Sequence, residues 1–229
     1  MNFHGFNKLT LLDFPGRVAC TLFTGGCDLR CPFCHNSPLV LSPGPGTVPE
    51  DEIIAYLQKR KGVLDGVAVT GGEPLLQPGL PGFLRRVREL GMLIKLDTNG
   101  CHPDALASLL SEGLIDYIAM DIKNSPDLYP ATVGIENFDI SPVLRSIETI
   151  MKSGRDYEFR TTAVREFHSA ESFRGIGRMI EGAGKYYIQN FVDSGALITG
   201  GLHGFEAEEL EAFAETVRPF VGEAGIRGI

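Results

Sequence analysis

At 229 residues, with 43% apolar and 22% charged side chains, the chain has the make-up of a globular protein able to bury a substantial core. A net charge of −8 argues against a broad nucleic-acid or anionic-membrane surface, and no apolar run is long enough to span a bilayer. Five cysteines, three of them clustered, make a poor disulfide framework and a good metal or redox arrangement for a reducing compartment, so the chain reads as cytoplasmic.

In chain order, the first apolar run is RVACTLF at residues 17–23, continuous as in a strand covered on both faces. A loop holding Cys27, Cys31 and Cys34 follows, then the turn-forming SPGPGT at 42–47. PEDEIIAYLQKRKG reads as a helix, with Pro49 and three acidic residues at its start and basic residues before Gly62 at its end. GVAVT (66–70), MLIKL (92–96), DYIAM (116–120), YEFRTTAV (157–164) and YYIQNF (186–191) are the next strands. Helices are expected at 80–90, 103–110, 170–180 and 206–217, and in SPVLRSIETIMKSG. That last helix takes Ser141 as cap, Pro142 in its first turn, Ile147, Ile150 and Met151 inward and Gly154 as stop.

Six strand-then-helix units imply an α/β fold with a parallel sheet, and six are too few for the eightfold barrel. A partial (β/α)6 barrel is expected, with a flat doubly wound sheet as runner-up. No long linker interrupts the pattern, so residues 1–229 read as one domain: a core of about 15–195, then a helix and tail at 205–229. The tail beyond Val217 reads as a partner contact or a frayed end.

In parallel α/β folds, ligand sites gather where strands end. The cysteine loop follows the first strand, GGEP (Gly71 to Pro74) the second, DTNG (Asp97 to Gly100) the third and DIK (Asp121 to Lys123) the fourth, while Arg160 lies within the fifth. Four polar loops in succession point to one site. The spacing C-x3-C-x2-C with no fourth cysteine nearby does not match a closed structural zinc centre. An iron–sulfur cube would have three irons held by Cys27, Cys31 and Cys34 and one left open; a zinc loop or a plain buried cysteine cluster is the plainer alternative. Cys20 reads as a small hydrophobe and Cys101 as structural; His4, His102, His168 and His203 read as surface residues.

The cysteine loop, with Phe33 at C-x-aromatic-C, resembles that of the radical S-adenosylmethionine (SAM) enzymes. CHN, GGEP, DTNG and DIK resemble the activating enzymes of glycyl-radical enzymes. LLDFPG, GGEPLLQ, LDTNG, AMDIK and FRTTAV are most similar to anaerobic ribonucleoside-triphosphate reductase activating proteins, across about residues 5–195. The resemblance implies one [4Fe-4S] cluster on Cys27, Cys31 and Cys34, whose open iron takes the SAM amino and carboxylate groups. Reductive cleavage of SAM would give a 5′-deoxyadenosyl radical that removes a hydrogen from a glycine Cα of a partner enzyme, which the resemblance identifies as anaerobic ribonucleoside-triphosphate reductase. A one-electron donor such as flavodoxin or ferredoxin is implied.

By the same resemblance, Gly71, Gly72 and Glu73 hold the methionyl amine, Phe33 and His35 flank the adenine, and Asp121, Lys123 and Arg160 contact the ribose or carboxylate. Asn36 and Asn99 support these loops. Asp97, Thr98 and Asp121 are similar to oxygen ligands of a monovalent cation in the pyruvate formate-lyase branch. That branch also carries a histidine after strand six, where this chain has QNFVDSG, so Gln189 or Asn190 is expected to stand in. The alternatives are activation of another glycyl-radical enzyme such as a pyruvate formate-lyase, a radical SAM enzyme acting on a small molecule, an iron–sulfur electron carrier and a zinc-stabilised binding module.

Overall fold

The computed structural model describes residues 1–193 and 195–228; Ser194, within QNFVDSG, and Ile229, at the end of the expected tail, lie outside the described residues. The chain divides into two compact units. The first comprises Met1–Asp28, Pro38–Thr98 and His102–Ile118, and the second Leu29–Ser37, Asn99–Cys101 and Ala119–Ile229.

The first unit contains β1 (Asn2–Phe3), β2 (Gly5–Thr10), β3 (Ala19–Thr24), most of α1 (Ser37–Leu41), β4 (Val48–Pro49), α2 (Glu50–Lys59), β5 (Gly66–Gly71), α3 (Leu80–Glu89), β6 (Leu93–Thr98), α4 (Pro103–Ser111) and the start of β7 (Tyr117–Asp121). Its strands lie in the order β6-β5-β3-β2. The first three are parallel, with Cys20 opposite Val67 and Val67 opposite Ile94, and β2 runs antiparallel along β3. Leu22, Val67, Val69, Ile94 and Leu96 are fully buried, as continuous apolar strands covered on both faces require. Helix α3 buries Leu80, Phe83, Leu84 and Val87, a single stripe at i, i+3, i+4 and i+7.

The second unit completes β7 and adds α5 (Tyr129–Val133), α6 (Ser141–Lys152), β8 (Asp156–Ala163), α7 (Ala170–Met179), β9 (Lys185–Asn190), α8 (Ala207–Val217) and β10 (Glu223–Arg227). The strand order is β7-β8-β9-β10, with β8, β9 and β10 parallel. Phe173 stacks on Phe213 at 4.6 Å, and Phe205 meets Phe213 edge-on at 4.9 Å, packing α7 against α8.

The α/β class with mostly parallel strands is as expected, and all six expected strands appear within two residues of their sequence limits. Three details differ. Ser141 does not cap α6; it is the first helical residue, and the carboxylate of Asp139 accepts its N–H at 2.9 Å. The tail beyond Val217 is not frayed, because Glu223–Arg227 adds a strand alongside β9. β2 escaped the strand reading because GFNKLT has no apolar run; it is held by pairing with β3.

Candidate functional site

In the first unit, the end of β5 is built by close backbone approach. Gly71 has φ +118°, and a Cβ there would sit 2.3 Å from the backbone N and O of Thr24. A Cβ on Gly72 would fall 2.0 Å from the carbonyl oxygen of Gly26. Only glycine fits either position. The Gly72 N–H donates to the Thr24 carbonyl and the Glu73 N–H to the Gly26 carbonyl, both at 2.8 Å, so GGEP is fastened to the turn preceding Cys27.

Glu73 is fully buried. Its Oε1 accepts from the Leu75 N–H at 3.0 Å and the Thr98 hydroxyl at 2.9 Å. Asp97, one residue earlier on β6, pairs with the ammonium of Lys95, which is itself only 2% exposed. Half-buried Cys27 points its thiol at the Asp28 carboxylate, 3.8 Å away, and His102 Nε2 lies 3.0 Å from the other Asp28 oxygen.

The second unit carries the rest of the cysteine loop. Cys31 is buried and Cys34 half-buried, and the Cys34 N–H donates to the Cys31 carbonyl at 3.0 Å. Burial pushes the Cys31 thiol up to about 11, while the nearby Lys123 ammonium works in the opposite direction. Thr199 donates its N–H to the Pro32 carbonyl at 2.9 Å, and the Ser37 hydroxyl donates to the Ala196 carbonyl at 2.6 Å, so a later segment straps the loop. Phe33 is buried 5.7 Å from Phe167, and exposed His35 lies 5.5 Å from Phe191. Asn36 is half-buried, and Asn99 accepts the Cys101 N–H at 2.9 Å in the turn after β6.

Asp121 receives Arg160 Nε at 2.6 Å on one oxygen and Lys123 Nζ at 2.9 Å on the other. Burial alone would raise its pKa; the two cations outweigh it and hold the carboxyl well below the usual carboxylate range. Burial likewise opposes the charge on Lys123, and Asp121 more than restores it.

Two residues outside the expected site, His168 and Tyr129, support this group. His168 was expected at the surface but is 5% exposed: its Nε2 meets the Lys123 carbonyl at 2.9 Å, and its Nδ1 accepts the Val164 N–H at 3.1 Å. Phe33 and Phe173 cover its ring, which is why a lone histidine with no partner spacing can be internal. The Tyr129 hydroxyl accepts the Lys123 N–H at 3.3 Å, and burial holds its own pKa above the ordinary phenol value. Lys95 was also passed over; its signal was a charge in the middle of a buried strand.

His203 pairs with Glu166 at 2.7 Å and His4 Nε2 lies 3.1 Å from the Gly44 carbonyl, so the fold supplies partners that spacing did not suggest. Cys20 is fully buried in β3, and burial pushes its thiol up to about 12, as suits a packing residue. Asn190, one of the two residues expected to stand in for a histidine after strand six, binds the Phe205 backbone through its amide, donating at 2.9 Å and accepting at 3.0 Å.

Among the described residues, no three His, Cys, Asp or Glu side chains converge on a point as a single metal ion would require. An iron–sulfur cube makes no such demand, since each iron takes one thiolate. None of the five cysteines is in a disulfide, and three of them lie within eight residues, so the chemistry of the donor set fits such a cube. The two glycines let the end of β5 lie against the Thr24 and Gly26 backbone, and they hold Glu73 beside it as a fixed, buried acceptor.

The model of the Radical SAM superfamily matches residues 21–174. A protein of Methanocaldococcus jannaschii named as a candidate glycyl-radical enzyme activating enzyme is 31% identical over 193 residues, covering 82% of this chain and 78% of the relative. The pyruvate formate-lyase-activating enzyme of Clostridium pasteurianum is 30% identical over 64% of this chain, which spans 63% of that enzyme's length. Among solved structures, Streptococcus suis SuiB bound to S-adenosylmethionine aligns with TM-score 0.69 at 15% identity over 91% of this chain and 52% of its own. A domain of a pyruvate-formate lyase-activating enzyme from Bacteroides vulgatus aligns with TM-score 0.58 at 16% identity over 71% of this chain and 99% of its own. These likenesses show the fold.

Proposed function

The chain belongs to the radical SAM superfamily, and from that membership we propose that it is an oxidoreductase that activates a glycyl-radical enzyme. The observation that carries this reading is three cysteines outside any disulfide in eight residues, with no fourth cysteine nearby in sequence, followed by GGEP, DTNG and DIK at the ends of successive strands. Cys27, Cys31 and Cys34 would hold one [4Fe-4S] cluster. Bound together, the cluster and SAM supply a one-electron reductive cleavage whose product takes a hydrogen atom from a glycine Cα of the partner.

The chain's own part is positional. Glu73, locked by Leu75 and Thr98, offers a fixed acceptor to the methionyl amine beside the Gly71 and Gly72 backbone. Asp121, Lys123 and Arg160 together carry one net positive charge, suited to a carboxylate or a ribose hydroxyl. Phe33 and His35 would border the adenine, with Asn36 and Asn99 bracing the loops. The partner we infer is an anaerobic ribonucleoside-triphosphate reductase, because LLDFPG, LDTNG, AMDIK and FRTTAV are most similar to its activators. The electron donor is a flavodoxin or ferredoxin, and the setting is the cytoplasm.

Anaerobic reconstitution tests the chemistry: a brown protein with about four irons per chain that cleaves SAM only with a reductant supports it, and a colourless zinc protein overturns it. Mixing the loaded protein with the anaerobic reductase or with a pyruvate formate-lyase identifies the partner, read as a glycyl-radical electron paramagnetic resonance signal on one of them.

A further inference from the structure

Each of the three residues expected to ligate a monovalent cation already has another partner. Asp97 is paired with the Lys95 ammonium, and the Thr98 hydroxyl proton is committed to Glu73. In the second unit, Asp121 is held by two cations, Arg160 and Lys123. A free cation finds two carboxylates that are already neutralised, so this oxygen set does not fit it.

Lys95 is the unusual residue. It sits in β6 among Ile94 and Leu96, both fully buried, with its side-chain exposure at 3%. Its strand position pairs with Ala68 on β5, whose small side chain leaves room across the pleat. Residues i and i+2 of a strand share a face, so Lys95 and Asp97 meet without any loop having to move. A lysine so placed is costly unless its charge is met, and among the described residues the carboxylate that meets its ammonium is Asp97. An ammonium tethered two residues away is present at an effective concentration that a diffusing ion does not match.

We propose that Lys95 is a built-in replacement for a monovalent cation: its ammonium neutralises Asp97, holds the end of β6 in place, and so positions Thr98 against Glu73. Lys95 acts through Asp97 and Thr98 and is a positioning residue. The link to SAM rests on the function proposed above; the neutralisation of Asp97 does not.

Thermal unfolding of the full chain, with no cluster loaded, in KCl, NaCl and choline chloride of equal ionic strength tests the neutralisation directly. The expected result is one midpoint for the wild type in all three salts. Lys95→Met should unfold lower in choline and recover in KCl or NaCl, while Lys95→Arg stays indifferent to the salt. A wild-type midpoint that rises in KCl or NaCl over choline overturns the proposal, as does a Lys95→Met midpoint equally low in every salt. Should Lys95→Met not fold, the Lys95→Met/Asp97→Asn pair decides: a folded, salt-indifferent double variant supports the proposal, and one that also fails to fold overturns it. In loaded protein, Lys95→Met should lose about tenfold to a hundredfold of SAM cleavage in choline and regain it in KCl, the range seen when a supporting partner is removed. A wild type that folds with one salt-indifferent midpoint but cleaves no SAM would refute the proposed function and leave the role of Lys95 standing.

Discussion

The end of β5 in the first unit and the Asp121 group in the second both hold a carboxylate in place, but by different means. Glu73 is fixed by neutral donors and by two glycines whose missing side chains let backbone meet backbone. Asp121 is fixed by opposite charge, with Arg160 and Lys123 on its two oxygens. Steric construction fails all at once, because a methyl group either fits or does not. Electrostatic construction fails by degrees, because side chains and water partly compensate.

Substitutions can break that contrast, and the largest effect is expected at Gly72. Gly72→Ala would place a Cβ on the Gly26 carbonyl, costing about 3 kcal/mol and abolishing SAM binding, measurable by calorimetry alongside a denaturant titration. Asp121→Asn leaves two cations facing a neutral amide. Its side chain is 30% exposed, so the loss should be about 2 kcal/mol, below that of a fully buried pair, with SAM affinity weakened but measurable. If Asp121→Asn proves as severe as Gly72→Ala, the distinction fails.

Thr98→Val removes one of the donors to Glu73 while keeping the shape; about 1 kcal/mol of stability should go, read as a shift in the urea midpoint at constant slope. The smallest effect sharpens the second region. Burial pulls the His168 pKa below its ordinary value, so the unfolded chain binds more protons than the folded one below about pH 6.5. The contribution of neutral His168 is therefore complete above that pH and is lost as the pH falls through it. The melting temperature should decline on acidification from pH 7 to 5, and more shallowly in His168→Gln; an equal decline in both proteins would remove His168 from the account.

The sequence disclosed most about what chemistry makes periodic or dense. Strands β3 and β5 to β9 were legible because covered parallel strands are unbroken apolar runs, and the cysteine loop because three thiols in eight residues have few other uses. β2 and β10 were not, since GFNKLT and EAGIR draw their order from the neighbouring strands β3 and β9 rather than from their own pattern. Glu73, Asp121, Lys123 and Arg160 could be picked out one by one, but which donor each would meet could not. Lys95 lay hidden inside MLIKL because an apolar run was read through it, and His168 because its shelter is made by Phe33 and Phe173, distant in sequence.

The strap across the cysteine loop orders events in time. Ser37 is tied to Ala196 across 159 positions, and Pro32 to Thr199. During synthesis the thiols of Cys31 and Cys34 leave the ribosome long before the segment that secures their loop. A nascent chain thus carries these sulfurs without their clasp, and iron delivered early would meet a floppy ribbon instead of a finished seat.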